Sequence, residues 1–235
     1  QKCKRSELEM RTGNRKFEVS VILTLFNSRR FYQHALASVL NQSFEDIEII
    51  FVDDGSIDGI ETELIPIIKN NENFKYLSHS NRKQPLSLNS GILISSGKYI
   101  TFLDSDDEYK YEHIQERLNF MNKNESIDLI CSDAEFIGKE EDMFVPDAAD
   151  NNRMIHVKDC IMLGTLFGKR KVFLELDGFK DIYSHDSEFF NRAEKKFNTA
   201  RLDSKSYVYF RNNPESVINK LKKDISNNKK FDFKR

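Results

Sequence analysis

The stretch from Lys98 to Tyr109, KYITFLDSDDEY, constrains the fold more than any other part of the chain. A β-branched and aromatic run with no helical period ends abruptly in Asp104, Ser105, Asp106 and Asp107. Such a run reads as a buried strand delivering carboxylates at its C-terminal end. Three acidic side chains within four residues repel one another, so the cluster is costly unless water solvates it or a divalent cation neutralises it. In an open α/β sheet the carboxyl ends of the strands border the crevice where ligands bind. A hard cation held there by one or two carboxylates completes its shell with substrate phosphates. Taken alone, the same residues also fit a solvated acidic turn.

A second segment, IEIIFVDDGSIDG, repeats the design with an apolar strand from Ile47 to Val52 followed by Asp53, Asp54, Gly55, Ser56 and Asp58. Gly55 permits a tight turn, and Ser56 or Asp58 can cap a helix running through Glu61, Leu64, Ile65 and Ile68. Turn and cap chemistry leaves the Asp53–Asp54 pair at the strand tip unexplained. A third strand, Val19 to Leu25, closes with Thr24, Phe26 and Asn27 before a helix whose apolar positions are Phe31, Ala35, Leu36, Val39 and Leu40. Asn27 or Ser28 is the expected N-cap, and Thr24 with Phe26 falls at the same sheet edge as the acidic tips. Phe26 fits either a core position or a flat face offered to a nucleobase.

The segments VSVILTLFNS, ASVLNQSFEDIEIIFVDDGSIDG and LNSGILISSGKYITFLDSDD, in this order and strand context, resemble the nucleotide-sugar-binding half of family 2 glycosyltransferases. The resemblance continues through ELDGFKDIYSHDSEFFNRAEKKF to YFRNNPESV. It implies a GT-A fold, a Rossmann-like, mostly parallel sheet flanked by helices on both faces, with a smaller acceptor-side region. It also implies a nucleotide-sugar donor such as a UDP-sugar, Mn2+ or Mg2+, and inversion at the anomeric carbon. In the matching motifs Thr24, Phe26 and Asn27 hold the base, Asp54 hydrogen-bonds it, Asp104 meets the ribose or the metal through water, and Asp106 binds the metal. Arg211, near Tyr209 and Ser216, resembles a loop residue that reaches the diphosphate.

The acceptor side must supply a proton acceptor opposite the departing diphosphate. Asp186 is the candidate. It opens a helix with apolar Phe189, Phe190, Ala193 and Phe197, after a turn at Gly178. A first-turn carboxylate favourable to the helix dipole is the structural alternative. Where family members carry Glu-Asp, this chain has His185-Asp186, with Glu188 as the next acid in reach. Two further departures stand out. Ser87-Leu88-Asn89 replaces Ala-Arg-Asn, so the usual Arg is missing, and Lys83, or Arg82, is the substitute cation for the base or phosphate; Thr24 replaces a common Pro.

The 235 residues suit one compact α/β domain, and a formal net charge of −2 gives no case for nucleic acid as a partner. Residues 1–16 read as a flexible segment, 17–110 as the donor half, 111–218 as the acceptor and base half, and 219–235 as a basic tail. From Lys220 that tail carries seven Lys or Arg against two Asp. It is either a solvated terminus or a contact for anionic lipid, which would bring a lipid-linked or saccharide acceptor close. The apolar runs are too short to span a membrane, and the N-terminal residues have no apolar core of a secretory signal. Cys3, Cys131 and Cys160 suit a reducing cytoplasm, with Cys131 a small core residue of a strand over 128–131. His156 and His185 lack partners at ligand spacing, His34 and His113 in helical patterns and His79 in a strand-to-loop segment carry no assigned role, and Gly138 to Val157 reads as a loop over the site. The enzyme reading belongs at the inner face of a bacterial membrane, in cell-surface polysaccharide assembly. An inactive relative that binds nucleotide sugar or scaffolds a partner is the rival reading.

Overall fold

The computed structural model describes residues 16–150 and 153–213, with Ser216, Asn219 and Lys222 beyond them. The expected flexible N-terminal segment and basic tail therefore lie outside the described residues, apart from Lys16, Asn219 and Lys222.

The chain runs β1 (Val19–Leu25), α1 (Tyr32–Leu40), β2 (Ile47–Asp53), α2 (Ile60–Lys69), β3 (Phe74–Ser78), α3 (Gln84–Ile94) and β4 (Tyr99–Asp104). It continues through β5 (Glu108–Tyr109), α4 (His113–Lys123), β6 (Leu129–Ser132), β7 (Glu135–Ile137), β8 (Phe144–Pro146) and β9 (Met154–His156). Then follow β10 (Phe167–Lys169), α5 (Arg170–Glu175), α6 (His185–Ala193), β11 (Thr199–Leu202) and β12 (Tyr207–Phe210). Seven strands form one sheet in the order β11–β6–β10–β4–β1–β2–β3. All neighbours are parallel except β10, which runs antiparallel to β4 and β6.

β1 and β2 are buried at every residue, as near-continuous Val/Ile/Leu runs must be when helices cover both faces of a parallel sheet. Val19, Val21, Leu23 and Leu25 pack with Ala35 and Leu36 of α1, Leu64 of α2 and Leu118 of α4. Ile22, Ile50 and Phe102 pack on the opposite face with Leu88 of α3, Phe173 of α5 and Phe189 of α6. This is the mostly parallel sheet flanked by helices on both faces that the resemblance implies.

Register aligns the strand tips. Thr24 sits opposite Asp104, Leu25 opposite Asp53, and Asp53 opposite Ser78, so four strands end along one edge of the sheet.

The local expectations shift at three places. α1 begins at Tyr32, not after Asn27 or Ser28. Asn27 takes a left-handed φ of 52°, and the Ser28 carbonyl accepts the amides of Phe31 and Tyr32, so a turn intervenes. Consequently Tyr32 is buried while Leu40 is 58% exposed. β6 begins at Leu129, because the preceding Asp128 accepts ion pairs from Lys169 and Lys171. The expected loop Gly138–Val157 is instead a 3-10 turn, Glu140–Met143, and the hairpin β8–β9, with a small core of Met143, Val145 and Val157. Cys131 is buried in β6, as expected.

Gly178 shows how the second half is fastened to the first. Its φ is +63°, and a Cβ there would lie 2.1 Å from Asn89 Oδ1. That oxygen accepts the Phe179 amide at 2.8 Å, and Asn89 Nδ2 donates to the Phe179 carbonyl at 2.8 Å. Both amide groups of Asn89 on α3 thus grip the turn that leads into α6. Gly178→Ala is expected to cost about 1–3 kcal/mol through the left-handed backbone and the collision with Asn89. Differential scanning fluorimetry should show Tm falling by about 3–10 °C; an unchanged Tm would mean that the grip is not formed.

Candidate active site

At the aligned edge, Thr24 and Asp104 are bridged by one side chain. Gln84, the first residue of α3, places Nε2 2.5 Å from Asp104 Oδ1 and 3.3 Å from Thr24 Oγ1. Nothing in the sequence marked Gln84 beyond its place before Pro85 at a helix start.

The Asp53–Asp54 pair divides its labour. Asp53 is buried and fixes the turn, accepting the Ser56 amide and the Tyr76 hydroxyl, each at 2.8 Å. Asp54 accepts the Arg82 amide at 2.8 Å, and His79 Nδ1 lies 3.4 Å from the same oxygen. Asn27 braces the neighbouring tip, donating its amide to Ser56 Oγ and accepting the Ile57 amide, both at 2.9 Å. Phe26 is 53% exposed, which rules out the core reading and leaves its ring at the rim beside Asn27.

The acidic turn after β4 carries three carboxyls with different fates. Asp107 is buried, accepting the Phe210 amide at 2.8 Å and the Tyr207 hydroxyl. Burial, then the neighbouring Asp106 and Asp104 charges, holds its pKa well above the usual carboxylate range. Asp106 accepts the Asn213 side-chain amide at 2.9 Å. Asp104 is pushed up to about 7 by burial, then by the charges of Asp106 and Asp186, against the opposing hydrogen bond from Gln84.

Asp186 therefore acts electrostatically on Asp104 from the first turn of α6, and the structure brings the two halves of the expected site together. Burial raises the Asp186 carboxyl, opposed by His185 and by backbone amides, including Ser187 at 2.8 Å. Burial also keeps the His185 imidazole below its usual value, with Nε2 lacking a partner among the described residues and the ring set against Phe179 at 5.5 Å. Glu188 is occupied elsewhere: Lys180 lies at 2.5 Å and Arg192 at 2.9 Å. Those contacts overcome burial and hold Glu188 low.

Two expected cations are engaged by protein groups. Arg211 is 1% exposed and turned inward, with Nε on the Asp142 carbonyl at 3.0 Å and Nη1 3.2 Å from the Tyr209 hydroxyl. Lys83 pairs with Asp181 at 3.0 Å. Its φ of 74° and ψ of 156° lie in a region open essentially only to Gly, which costs about 1–3 kcal/mol. An ion pair with side chains 54% and 38% exposed returns about 0–1 kcal/mol. Leu88, in place of the family's Arg, is a buried core residue.

Among the described residues no three His, Cys, Asp or Glu side chains converge to hold a cation by themselves. Asp104 and Asp106 still fit a hard cation. Burial, and then the Asp106 charge, raise Asp104 toward neutrality, a repulsion that a cation would relieve, and Mg2+-type sites draw on one or two carboxylates plus substrate phosphates.

Because the folded-state pKa of Asp104 is raised from 3.8 to about 7, the native protein binds a proton there that the unfolded chain has lost. Stability therefore falls as pH rises through that window, and the penalty is complete above it. Metal-free Asp104→Asn should melt a few degrees above the wild type near pH 8, on the order of 1 kcal/mol, and at the wild-type temperature near pH 4. Equal melting of the two proteins at both pH values would refute the assignment.

The family model for glycosyl transferase family 2 matches residues 20–175. An uncharacterized glycosyltransferase of Rickettsia bellii is 39% identical over 113 residues, 48% of this chain and 16% of its own length. The GalNAc(5)-diNAcBac-PP-undecaprenol beta-1,3-glucosyltransferase of Campylobacter jejuni is 38% identical over 93 residues, 39% of this chain and 30% of its own. This chain thus spans less than a third of either relative. S. aureus TarS 1–349 in complex with UDP-GlcNAc shares the fold with a TM-score of 0.67 at 20% identity, over 82% of this chain and 58% of TarS 1–349.

Proposed function

The chain belongs to glycosyl transferase family 2, and we propose that it transfers a sugar from a UDP-sugar to a saccharide or lipid-linked acceptor with inversion. The observation that carries this reading is that Asp186, on α6, stands near enough to the tip of β4 for its charge to raise the proton affinity of Asp104. The names of two neighbours support its substrates: TarS was captured with UDP-GlcNAc, and the Campylobacter glucosyltransferase names a PP-undecaprenol acceptor. The GT-A fold is shared with such enzymes, and no helix among the described residues is long and apolar enough to cross a membrane. The reading places the protein in the cytoplasm of a bacterium, serving cell-surface polysaccharide assembly, with the basic tail of residues 219–235 against anionic lipid.

The residues take these roles. Phe26 offers its exposed ring to the base, while Asp54 accepts a base N–H at the tip of β2. Asn27 holds the β1 tip in place, and Thr24 and Asp104, linked by Gln84, line the floor beneath the ribose. Asp106 would hold Mn2+ or Mg2+, with Asp104 beside it. When bound, such a cation supplies Lewis-acid stabilisation of the charge that develops on the departing diphosphate. Arg211 would need to turn outward to join the diphosphate. Asp186 accepts the proton of the acceptor hydroxyl as its oxygen bonds to the anomeric carbon, and the bond to the diphosphate breaks on the opposite face. Raised proton affinity suits a base that must take a proton near neutrality. Neutral His185 adds no competing charge beside it.

Asp106→Asn tests the metal assignment. The variant should keep the wild-type fold, melt without ligand at or above the wild-type temperature because a repelling charge is gone, and lose the Mn2+-dependent part of the stabilisation by UDP. For the wild type this is about 2.7 kcal/mol at a hundredfold excess over Kd. Unchanged joint binding of Mn2+ and UDP in a titration calorimeter would remove Asp106 from the role.

Asp186→Asn tests the base. UDP and UDP-sugar binding should persist, while sugar transfer, including slow transfer to water, falls by at least about a hundredfold. A wild-type protein that binds UDP-sugars yet transfers nothing, to water or to any acceptor, would instead support the scaffold reading. Loss of folding rather than of turnover in Asp186→Asn would reduce the residue to a helix-end carboxylate.

A further inference from the structure

Lys83 is held in a backbone conformation that a lysine adopts only at a cost, and the exposed ion pair it makes with Asp181 does not repay that cost. A chain selected for stability alone would place glycine there. The residue's surroundings show what its side chain accomplishes. Lys83 immediately precedes Gln84, whose amide bridges Thr24 and Asp104, so it stands at the lip of the donor half. Asp181 lies in the turn after Gly178 and before α6, five residues ahead of Asp186. The two Lys83 Nζ contacts, 3.0 and 3.2 Å to the Asp181 carboxylate, therefore join the donor side of the crevice to the turn carrying the proposed base.

We propose that Lys83 and Asp181 form a clasp across the crevice, and that both act as positioning residues, setting where Asp186 stands relative to the donor. The inference rests on the reading of Asp186 as the base, but the clasp itself is testable without any donor or acceptor. The same turn is gripped from α3 by Asn89, which anchors Phe179 through two backbone hydrogen bonds. Asn89 fixes the start of the turn; Lys83 fixes its middle. Between Asp181 and α6 the described contacts of the turn also include Tyr183, whose hydroxyl donates to the Pro146 carbonyl at 2.9 Å on the hairpin β8–β9. Loss of the clasp would remove the restraint on the middle of the segment, leaving the Lys180–Glu188 pair and the two flanking anchors to hold it and Asp186 in place less tightly.

The test uses hydrogen exchange of the intact, ligand-free chain, with Lys83→Gly, Asp181→Asn and the exchanged pair Lys83→Asp/Asp181→Lys. Lys83→Gly relieves the strained backbone, so its Tm should equal or exceed that of the wild type, while amides of residues 178–190 exchange severalfold faster. Asp181→Asn should quicken the same amides and leave those of β1, β2 and β4 unchanged, and the exchanged pair should return exchange toward the wild-type rate. Titration calorimetry with UDP and Mn2+ should give one Kd for the wild type and all three variants. Slow hydrolysis of UDP-GlcNAc or UDP-glucose should fall in kcat, with the KM for donor unaltered. Two outcomes overturn the clasp. Unchanged exchange over residues 178–190 in both single variants would make the ion pair incidental. Weaker UDP binding by severalfold in Lys83→Gly, with Asp181→Asn binding normally, would make Lys83 a donor-binding cation. Failure of UDP to bind even the wild type would defeat the transferase reading and leave the exchange result standing.

Discussion

Asp107 accepts hydrogen bonds from the Tyr207 hydroxyl and the Phe210 amide, and the rest of the site depends on that buried contact. Three carboxyls on one short turn would repel one another if all faced water or one another. Withdrawing Asp107 into the protein, where burial favours its neutral form, removes one of the three charges from that conflict and leaves Asp104 and Asp106. The same bonds tie β12 to the turn after β4. β12 pairs with β5 and β7, and the chain beyond it returns Asn213 to Asp106, so the acidic turn and the C-terminal segment are held as one unit. A residue that reads in sequence as a third acid at the site is the bolt that fastens the second sheet to the first.

The charges left in the crevice are balanced by subtraction rather than by pairing. Burial, and then the charges of Asp106 and Asp186, raise the proton affinity of Asp104. The first turn of α6 favours a carboxylate at Asp186 through the helix dipole, and backbone amides there oppose the effect of burial. An additional acid at position 185 would deepen the repulsion. The neutral, buried His185 avoids it, and its ring packs against Phe179 in the turn that Asn89 holds. Glu188, one step further along the helix, is withdrawn by Lys180 and Arg192. Of the acids around the start of α6, Asp186 is the one whose field reaches Asp104.

Legibility in the sequence followed the range of the forces involved. β1, β2 and β4 are long apolar runs whose burial is a property of the run itself, and their bounds were readable to within a residue. The hairpin β8–β9 was not, because strands of three residues carry no measurable period and are held by contacts with Phe136 and Tyr209 from distant parts of the chain. The strand-tip carboxylates were visible as a group, but their division was not. Asp53 and Asp54 are adjacent and chemically identical; only the positions of Ser56, Tyr76 and Arg82 in space make one a turn fastener and the other a candidate for the base. Gln84 and Asn213 went unmarked, and Asn89 was read as a motif residue without a role, for the same reason: an amide side chain shows its task only when its partners, between 20 and 107 residues away, are known. Helix α1 was misplaced at its start because Asn27 takes a left-handed backbone, so its side chain braces the β2 turn instead of capping the helix.

The turn from Gly178 to Ser184 has no regular secondary structure to fix it, yet it sets the start of α6 and hence the location of Asp186. It is held from opposite sides by elements of different origin. Asn89 and Lys83 reach it from the donor half, where the strand tips and α3 are tightly packed, while Tyr183 reaches outward to the hairpin β8–β9. The hairpin stands on a small core of its own, Met143, Val145 and Val157, and Phe144 and Met154 on it are partly exposed. A shift of the hairpin would therefore pull on the turn through Tyr183 and Pro146, and the contacts from Asn89 and Lys83 would resist it. The Asn89 and Lys83 contacts, with Arg192 on the Gly178 carbonyl and Lys180 on Glu188, outnumber the single hydrogen bond to the hairpin, so the start of α6 can keep its place while the hairpin moves. In a fold whose donor crevice is built from rigid parallel strands, the placement of one loop carboxylate is what remains to be constrained, and α3 constrains it.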